Sequence, residues 1–290
     1  MTLRLKFNIA LLSAFLLGYA ATGFLLYNTL QENARDEVLA KARIMRESAL
    51  AIRAYTVEQV RPLLATLSQD QFLPQTVPSY AAQENFRKLD ETFSDYTYKE
   101  AALNPTNPTD LAADWERDII NYFRNDETQK EYVAIRDTPE GQSLALAFPL
   151  QIKNEACLTC HSVPANAPQS MLDLYGDDNG FGWQLNEIIG AQILTVPMSV
   201  PIERANHTFA IVMSALAGIF VVVFLLLNIL LSISVIRPVR RLTDLAGEVS
   251  MGNLDAPEME AKGSGEIASL AQSFNRMRRS LENAMRMIGG

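Results

Sequence analysis

Residues 209–236 read FAIVMSALAGIFVVVFLLLNILLSISVI, with no charged side chain. A bilayer hydrocarbon core about 30 Å thick takes roughly 20 apolar residues as a helix, so this run is expected to cross a membrane. A second run, residues 7–30 (FNIALLSAFLLGYAATGFLLYNTL), has the same character. Gly18-Tyr19-Ala20 inside it also fits a signal-peptide cleavage site. Apolar character continues through Phe24, Leu25, Leu26 and Tyr27, longer than a signal-peptide core, and favours a retained anchor. Arg4 and Lys6 precede the first run, and Arg237, Arg240 and Arg241 follow the second, which places both of those ends in the cytoplasm. Between the runs, residues 31–206 carry 26 acidic and 15 basic side chains; the remainder carries 7 and 10. The middle segment is therefore expected outside the cytoplasmic face, in the periplasm of a multi-pass inner-membrane protein. With 290 residues and a net charge of −8, nucleic acid is not an expected partner. The expected division is a first span at 1–30, an outer domain at 31–206, a second span at 207–236 and a cytoplasmic tail at 237–290.

The tail has its own pattern. Arg237-Pro238 ends the second run, and proline suits the first turn of a helix. Val235, Val239, Leu242, Ala246 and Val249 then recur at spacings of four and three. Gly252-Asn253-Leu254, Pro257 and Gly263-Ser264-Gly265 break the pattern. Ile267, Leu270, Phe274, Met277, Leu281 and Ala284 resume it. These are heptad seams on helices too short to bury them alone, so a homodimer that doubles them into a four-helix bundle is expected. The tail resembles a HAMP domain over about residues 236–285. Pro238, Gly252, Leu254, Glu266-Ile267 and Phe274-Asn275-Arg276-Met277 carry the resemblance. Gly265 departs from it, standing where the family has an acidic residue. The resemblance implies a signal relay. The 290 residues leave no room for a kinase, cyclase or chemoreceptor output domain, so either a separate cytoplasmic output protein is expected or the chain is a fragment.

Cysteine and histidine are scarce: Cys157, Cys160, His161 and His207 are all there are. Three of the four fall in Cys157-Leu158-Thr159-Cys160-His161. A zinc site would lack a fourth ligand. A disulfide between the two cysteines would close too small a loop to stabilise much, and no βαβ pattern surrounds them as in a thioredoxin-like redox pair. Cys-x-x-Cys-His is the attachment signature of a c-type haem: two thiols add to the two vinyl groups and the histidine ligates the iron. One covalent haem c per chain is expected, in the oxidising compartment that the charge balance assigns to this segment. For the sixth iron position Met45 ranks first and Met171 second among the outer thioethers, which also include Met198. A vacant position stays open. A methionine would favour a redox-responsive iron, a vacancy a diatomic gas ligand. His207 abuts the second span and reads as interfacial.

In the outer segment Val38, Ala42, Met45, Ala49, Ile52, Val60 and Leu64 mark one face of a helix over 31–68, kinked or ended at Arg61-Pro62. Helices are expected at 80–93 and 111–123. Strands are expected at 132–136, 144–152 and 189–197, the first two joined as a hairpin through Thr138-Pro139-Glu140-Gly141. The fold class is α+β, an antiparallel sheet with flanking helices of the PAS-like kind between two spans, followed by the helical bundle. This segment resembles the Tll0287-like family (formerly DUF3365) over roughly residues 40–200. The residues that carry the likeness are Arg61-Pro62-Leu63-Leu64, Asn104-Pro105-Thr106-Asn107-Pro108, Glu155 through His161, Tyr175-Gly176, Gly180-Phe181-Gly182-Trp183 and Gly190-Ala191-Gln192. The resemblance implies a haem c-carrying sensor domain of PAS-like fold. Phe181 and Trp183 are candidates for the haem wall, and Arg53 and Arg61 for the haem propionates. The expected function is a membrane-bound sensor of redox state or a diatomic gas, not an enzyme, since no distal acid or base is visible. The alternative is a membrane-tethered c-type cytochrome serving an electron-transfer complex.

Overall fold

Leu144, Leu146 and Phe148 alternate with Ala145 and Ala147 in sequence, and all five are buried. A strand with period two that is apolar at both parities needs cover on both faces. The computed structural model, which describes residues 2–65, 71–93, 95–139, 141–253, 255–260 and 265–288, supplies it. Glu140, Leu254, Gly263 and Ser264, and the expected helix end at 66–68, lie outside the described residues.

The chain divides into two compact units, Tyr27–Thr208 and a second made of Met1–Leu26 with Phe209–Gly290. In the first, the antiparallel sheet comprises β1 (Thr97–Ala102), β2 (Tyr132–Thr138), β3 (Gly141–Gln151) and β4 (Ile188–Pro197), in the order β1-β4-β3-β2. β2 and β3 form the expected hairpin, Thr138 opposite Gly141. β3 and β4 pair from Ser143–Pro197 to Leu150–Gly190, with an irregularity at Leu150/Gln151. One face packs Leu144, Leu146, Phe148, Leu194 and Val196 against Val38, Ala42, Met45 and Ala49 of helix α1 (Leu3–Tyr55) and Ala82 and Phe86 of helix α3 (Pro78–Asp90). The other packs Ala101, Ala147, Ala191 and Ile193 against Ile119, Ile120 and Phe123 of helix α4 (Asp114–Asn125). At Gly190 a Cβ would run into the Ala101 carbonyl of β1, so only glycine lets β1 close on β4 there.

Sequence reading missed β1. It reads Thr-Tyr-Lys-Glu-Ala-Ala, with two charges in the middle. The two charges point to different faces and are paired there: half-buried Lys99 with Glu116 of α4 at 2.7 Å, and buried Glu100 with Arg53 of α1. Partners from two helices hide the alternation that would mark a strand.

Arg61-Pro62 neither ends the first helix nor merely kinks it. Pro62 has no N–H and its ring crowds the carbonyl four residues back. The preceding turn widens into a π segment, Thr56–Val60, in which the Arg61 N–H reaches the Thr56 carbonyl. Helix α2 (Arg61–Leu64) follows. The same device recurs in the other unit. There α7 (Ser199–Leu231) passes into a π segment, Ser232–Ile236, where the Arg237 N–H reaches the Ser232 carbonyl just before Pro238 opens α8 (Arg237–Ser250).

Two helices, within Leu3–Leu64 and Ser199–Ser250, are long and apolar enough to cross a membrane. Inside their unit Tyr19 donates to the Met213 carbonyl at 3.4 Å, and Gly23 faces the Met213 side chain. In the tail, α8 and α9 (Glu266–Ile288) enclose Leu245, Val249, Ala256, Met259, Ala271 and Phe274. Asn275 pins the connector by accepting from the Met259 N–H at 3.1 Å and donating to the Met259 carbonyl at 2.9 Å. Arg278 donates to the Ala256 carbonyl. Within one chain the expected seam is only partly covered: Val239, Leu270, Met277 and Leu281 stay exposed.

Phe123 is fully buried, whereas Phe93 is mostly exposed. Phe123→Ala should cost about 3–5 kcal/mol, and Phe93→Ala no more than about 0.5 kcal/mol. Denaturant titration of the full chain in detergent, followed by circular dichroism, checks the contrast.

Candidate functional site

β3 and β4 are neighbours in the sheet, yet residues 152–187 lie between them in sequence, and this excursion carries the Cys-x-x-Cys-His motif. Asn154 starts it: its side-chain oxygen accepts from the Ala156 N–H at 2.9 Å and caps a 3₁₀ turn, Glu155–Cys157. One α-helical turn follows, α5 (Leu158–His161). Cys157 and Cys160 are three apart on this continuous helical backbone, which puts both on one side of the turn. Both are free thiols and half-buried. Burial raises the Cys160 thiol pKa, with Arg61 opposing the rise and Cys157 adding to it.

The imidazole of His161 is fixed from three directions. Its Nδ1 lies 2.8 Å from the Gly180 carbonyl. A carbonyl only accepts, so Nδ1 carries the proton and Nε2 keeps its lone pair. Thr106 Oγ1 stands 3.4 Å from the same nitrogen. Trp183 stacks on the ring at 3.9 Å between centroids and 17° between planes. Burial lowers the imidazole pKa, against the opposing Gly180 hydrogen bond, and so favours the neutral form. A neutral imidazole with a protonated, hydrogen-bonded Nδ1 is the form that ligates a metal through Nε2.

Gly180 is held in turn. Its N–H donates to Asn104 Oδ1 at 3.1 Å, and Asn104 Nδ2 donates to the Phe181 carbonyl at 3.3 Å. Its φ is +83°, and a Cβ there would overlap Thr106. The Asn104–Pro108 segment, read from sequence as a turn, is thus the clamp on the loop that orients His161. Asn104, Thr106 and Gly180 position the His161 ring, and chemistry-based reading assigned them no role; glycine next to aromatic residues was the available signal.

These elements line one cavity that is partly open to solvent. Cys157, His161, Met171 and Trp183 line it, together with Arg53, Glu100 and Asp110. The cavity wall thus bears one of the two thiols, Cys157, and the His161 ring; Cys160 is not among its lining residues.

The other expected residues fall out as follows. Met45 does not line the cavity; it is buried between α1 and the sheet. It lies eight residues before Arg53, about 12 Å along the helix axis. Met198 shares that core. Met171, on α6 (Gln169–Tyr175), lines the cavity and is 3 % exposed. Of these methionines only Met171 is among the lining residues. Phe181 is half-buried in the loop but contributes its backbone rather than a cavity wall. Arg53 reaches the cavity with its guanidinium paired to Glu100. Arg61 is exposed, with Nε on the Thr76 carbonyl at 3.2 Å. Both expected propionate partners are thus engaged within the protein. Nor is the cavity without acids: Glu100 and Asp110 both line it.

The Tll0287-like family matches residues 31–197. The chain is a member of the Tll0287-like family. A HAMP domain matches residues 230–283. Among solved structures, one described as the crystal structure of the cyanobacterial heme-protein Tll0287 matches with 15 % identity and a TM-score of 0.43, covering 56 % of this chain and 95 % of that one. Curated proteins give no match.

Asn104→Ala removes two hydrogen bonds from the Gly180–Trp183 loop of this Tll0287-like domain. A loss of about 1–2 kcal/mol of local stability is expected, seen as a roughly 5- to 30-fold rise in amide exchange over that loop. Burial raises the Asp110 carboxyl pKa, against a hydrogen bond from Gln83. A folded-state pKa above the unfolded value means stability present at low pH and lost as pH rises through the folded pKa. Asp110→Asn should therefore raise the melting temperature at pH 7, and the gain should vanish near pH 3; melting curves across that range read it.

Proposed function

We propose that this chain is a membrane-anchored haem c sensor. Its outer, periplasmic domain carries one haem on Cys157 and Cys160, with His161 as the proximal ligand, and its HAMP domain relays the state of that group to a separate cytoplasmic output protein. The observation that carries the reading is the 2.8 Å contact between His161 Nδ1 and the Gly180 carbonyl, which leaves Nε2 free on the cavity wall that also bears Cys157. Membership of a family named for Tll0287, itself described as a heme-protein, supports it. When bound, haem supplies an iron that changes redox state or takes a diatomic ligand.

The residues divide the work. Cys157 and Cys160 hold the group covalently. Asn104, Thr106 and Gly180 orient the imidazole, and Trp183 shields it from water. Met171 is the thioether available to the iron, and its ligation favours redox sensing over gas sensing. The uncovered seam residues Val239, Leu270, Met277 and Leu281 support a homodimer, because an exposed heptad stripe needs a second chain. That stripe also favours a relay over the tethered-cytochrome alternative, since an electron carrier has no use for it. The basic residues that flank the two apolar helices support an inner-membrane location with both ends cytoplasmic.

The test is a pyridine haemochrome spectrum and intact mass of the full chain, expressed with cytochrome c maturation machinery. One covalent haem per chain is expected. Cys157→Ser or Cys160→Ser should each lower covalent haem, and Met171→Leu should lower the midpoint potential. A colourless wild-type product of polypeptide mass alone overturns the reading.

A further inference from the structure

Glu100 lies within β1 with its side chain 1 % exposed, in the wall that also carries Cys157 and His161. A carboxylate taken out of water persists only with partners. Glu100 has a full set. Arg53 donates to both carboxylate oxygens and Tyr98 donates its hydroxyl to Oε1 at 2.6 Å; the backbone is held separately, the Glu100 N–H donating to Gln83 Oε1 at 3.2 Å. Neighbouring Lys99 turns to the opposite face of the sheet and pairs with Glu116, so it leaves this charge alone. A buried ion pair adds little stability over apolar side chains of the same volume. Core packing does not call for this one.

Its position does. Arg53 belongs to α1 and precedes the Thr56–Val60 π segment by three residues. It lines the same cavity as Cys157. One residue thus joins a buried carboxylate in the cavity wall to the helix whose N-terminal part is apolar enough to span a membrane.

Resting on the haem reading above, we propose that Glu100, held by Arg53 and Tyr98, is the positioning residue that sets the electrostatic potential of the cavity and couples the charge there to α1. Uptake of one electron by an iron in this cavity, from an external one-electron donor, lowers the local charge by one and makes or breaks no bond. The Glu100 carboxylate favours the more positive, oxidised state; the Arg53 guanidinium favours the reduced one. A change of charge therefore alters the pull on Arg53, and Arg53 is part of α1.

The experiment uses the full chain, loaded with haem, in detergent. Glu100→Gln removes a negative charge, so at fixed solution potential the oxidised-to-reduced ratio should fall at least tenfold, which is about 59 mV for a one-electron couple. The double variant Glu100→Gln with Arg53→Gln removes both charges and should return to within threefold of wild type. Tyr98→Phe keeps the ion pair and removes one donor from the carboxylate, so it should shift the ratio in the opposite direction. Equal shifts in the single and double Glu100 variants, or no shift in either Glu100→Gln or Tyr98→Phe, overturn the proposal. Amide exchange over Thr56–Val60 should differ between oxidised and reduced wild type and lose that difference in Glu100→Gln; a retained difference overturns the link to α1. A wild-type chain that takes up no haem overturns the haem reading instead.

Discussion

The hydrogen bond between His161 and the Gly180 carbonyl depends on a chain of short-range constraints, and the candidate site depends on it. A left-handed φ at Gly180 turns that carbonyl toward the imidazole. Thr106 occupies the space a side chain at Gly180 would need. Asn104 holds the Gly180 N–H and the Phe181 carbonyl at once. Three stretches distant in sequence, the 104–108 turn, the helical turn at 157–161 and the 180–183 loop, thus lock one nitrogen in one protonation state. The sheet contributes by bringing β3 and β4 together, which fixes both ends of the intervening excursion. The motif is chemically generic; its surroundings make one ring nitrogen a donor to protein and free the other.

Much of the fold was legible in the sequence because it is written in local patterns. The β2–β3 hairpin, β4 and the long first helix follow from periodicity and turn residues. The Cys-x-x-Cys-His motif needs no fold to be recognised. What escaped reading is what tertiary partners decide. β1 is invisible because Lys99 and Glu100 look like surface charges until Glu116 and Arg53 arrive from two different helices. Met45 fits the helical pattern, and only the tertiary structure shows that it sits in the apolar core while the cavity opens further along the same helix. Arg53 looks like a solvated charge or an anion partner, and nothing in the sequence points to a carboxylate 47 residues away.

The two faces of the sheet serve different ends. The face under α4 is an ordinary apolar core, with Phe123 at its centre and the Lys99–Glu116 pair at its edge. The face under α1 and α3 joins a similar core around Met45 to a polar end around Glu100, and the cavity opens at that polar end. Helix α1 runs along both: Val38, Ala42, Met45 and Ala49 pack in the core, and one turn further on Arg53 pairs with Glu100.

The wide turns before Pro62 and Pro238 alter how side chains are counted. Each accommodates its proline by holding one more residue per turn than an α-helix does, and one extra residue displaces everything beyond it by about 100° around the axis. Periodicity on the two sides of each proline therefore belongs to two separate phases. Val235 lies within the wide turn and Val239 beyond it, so the two do not share a phase, whereas Val239, Leu242, Ala246 and Val249 all follow it and do. The correct frame for the tail starts afresh at Arg237.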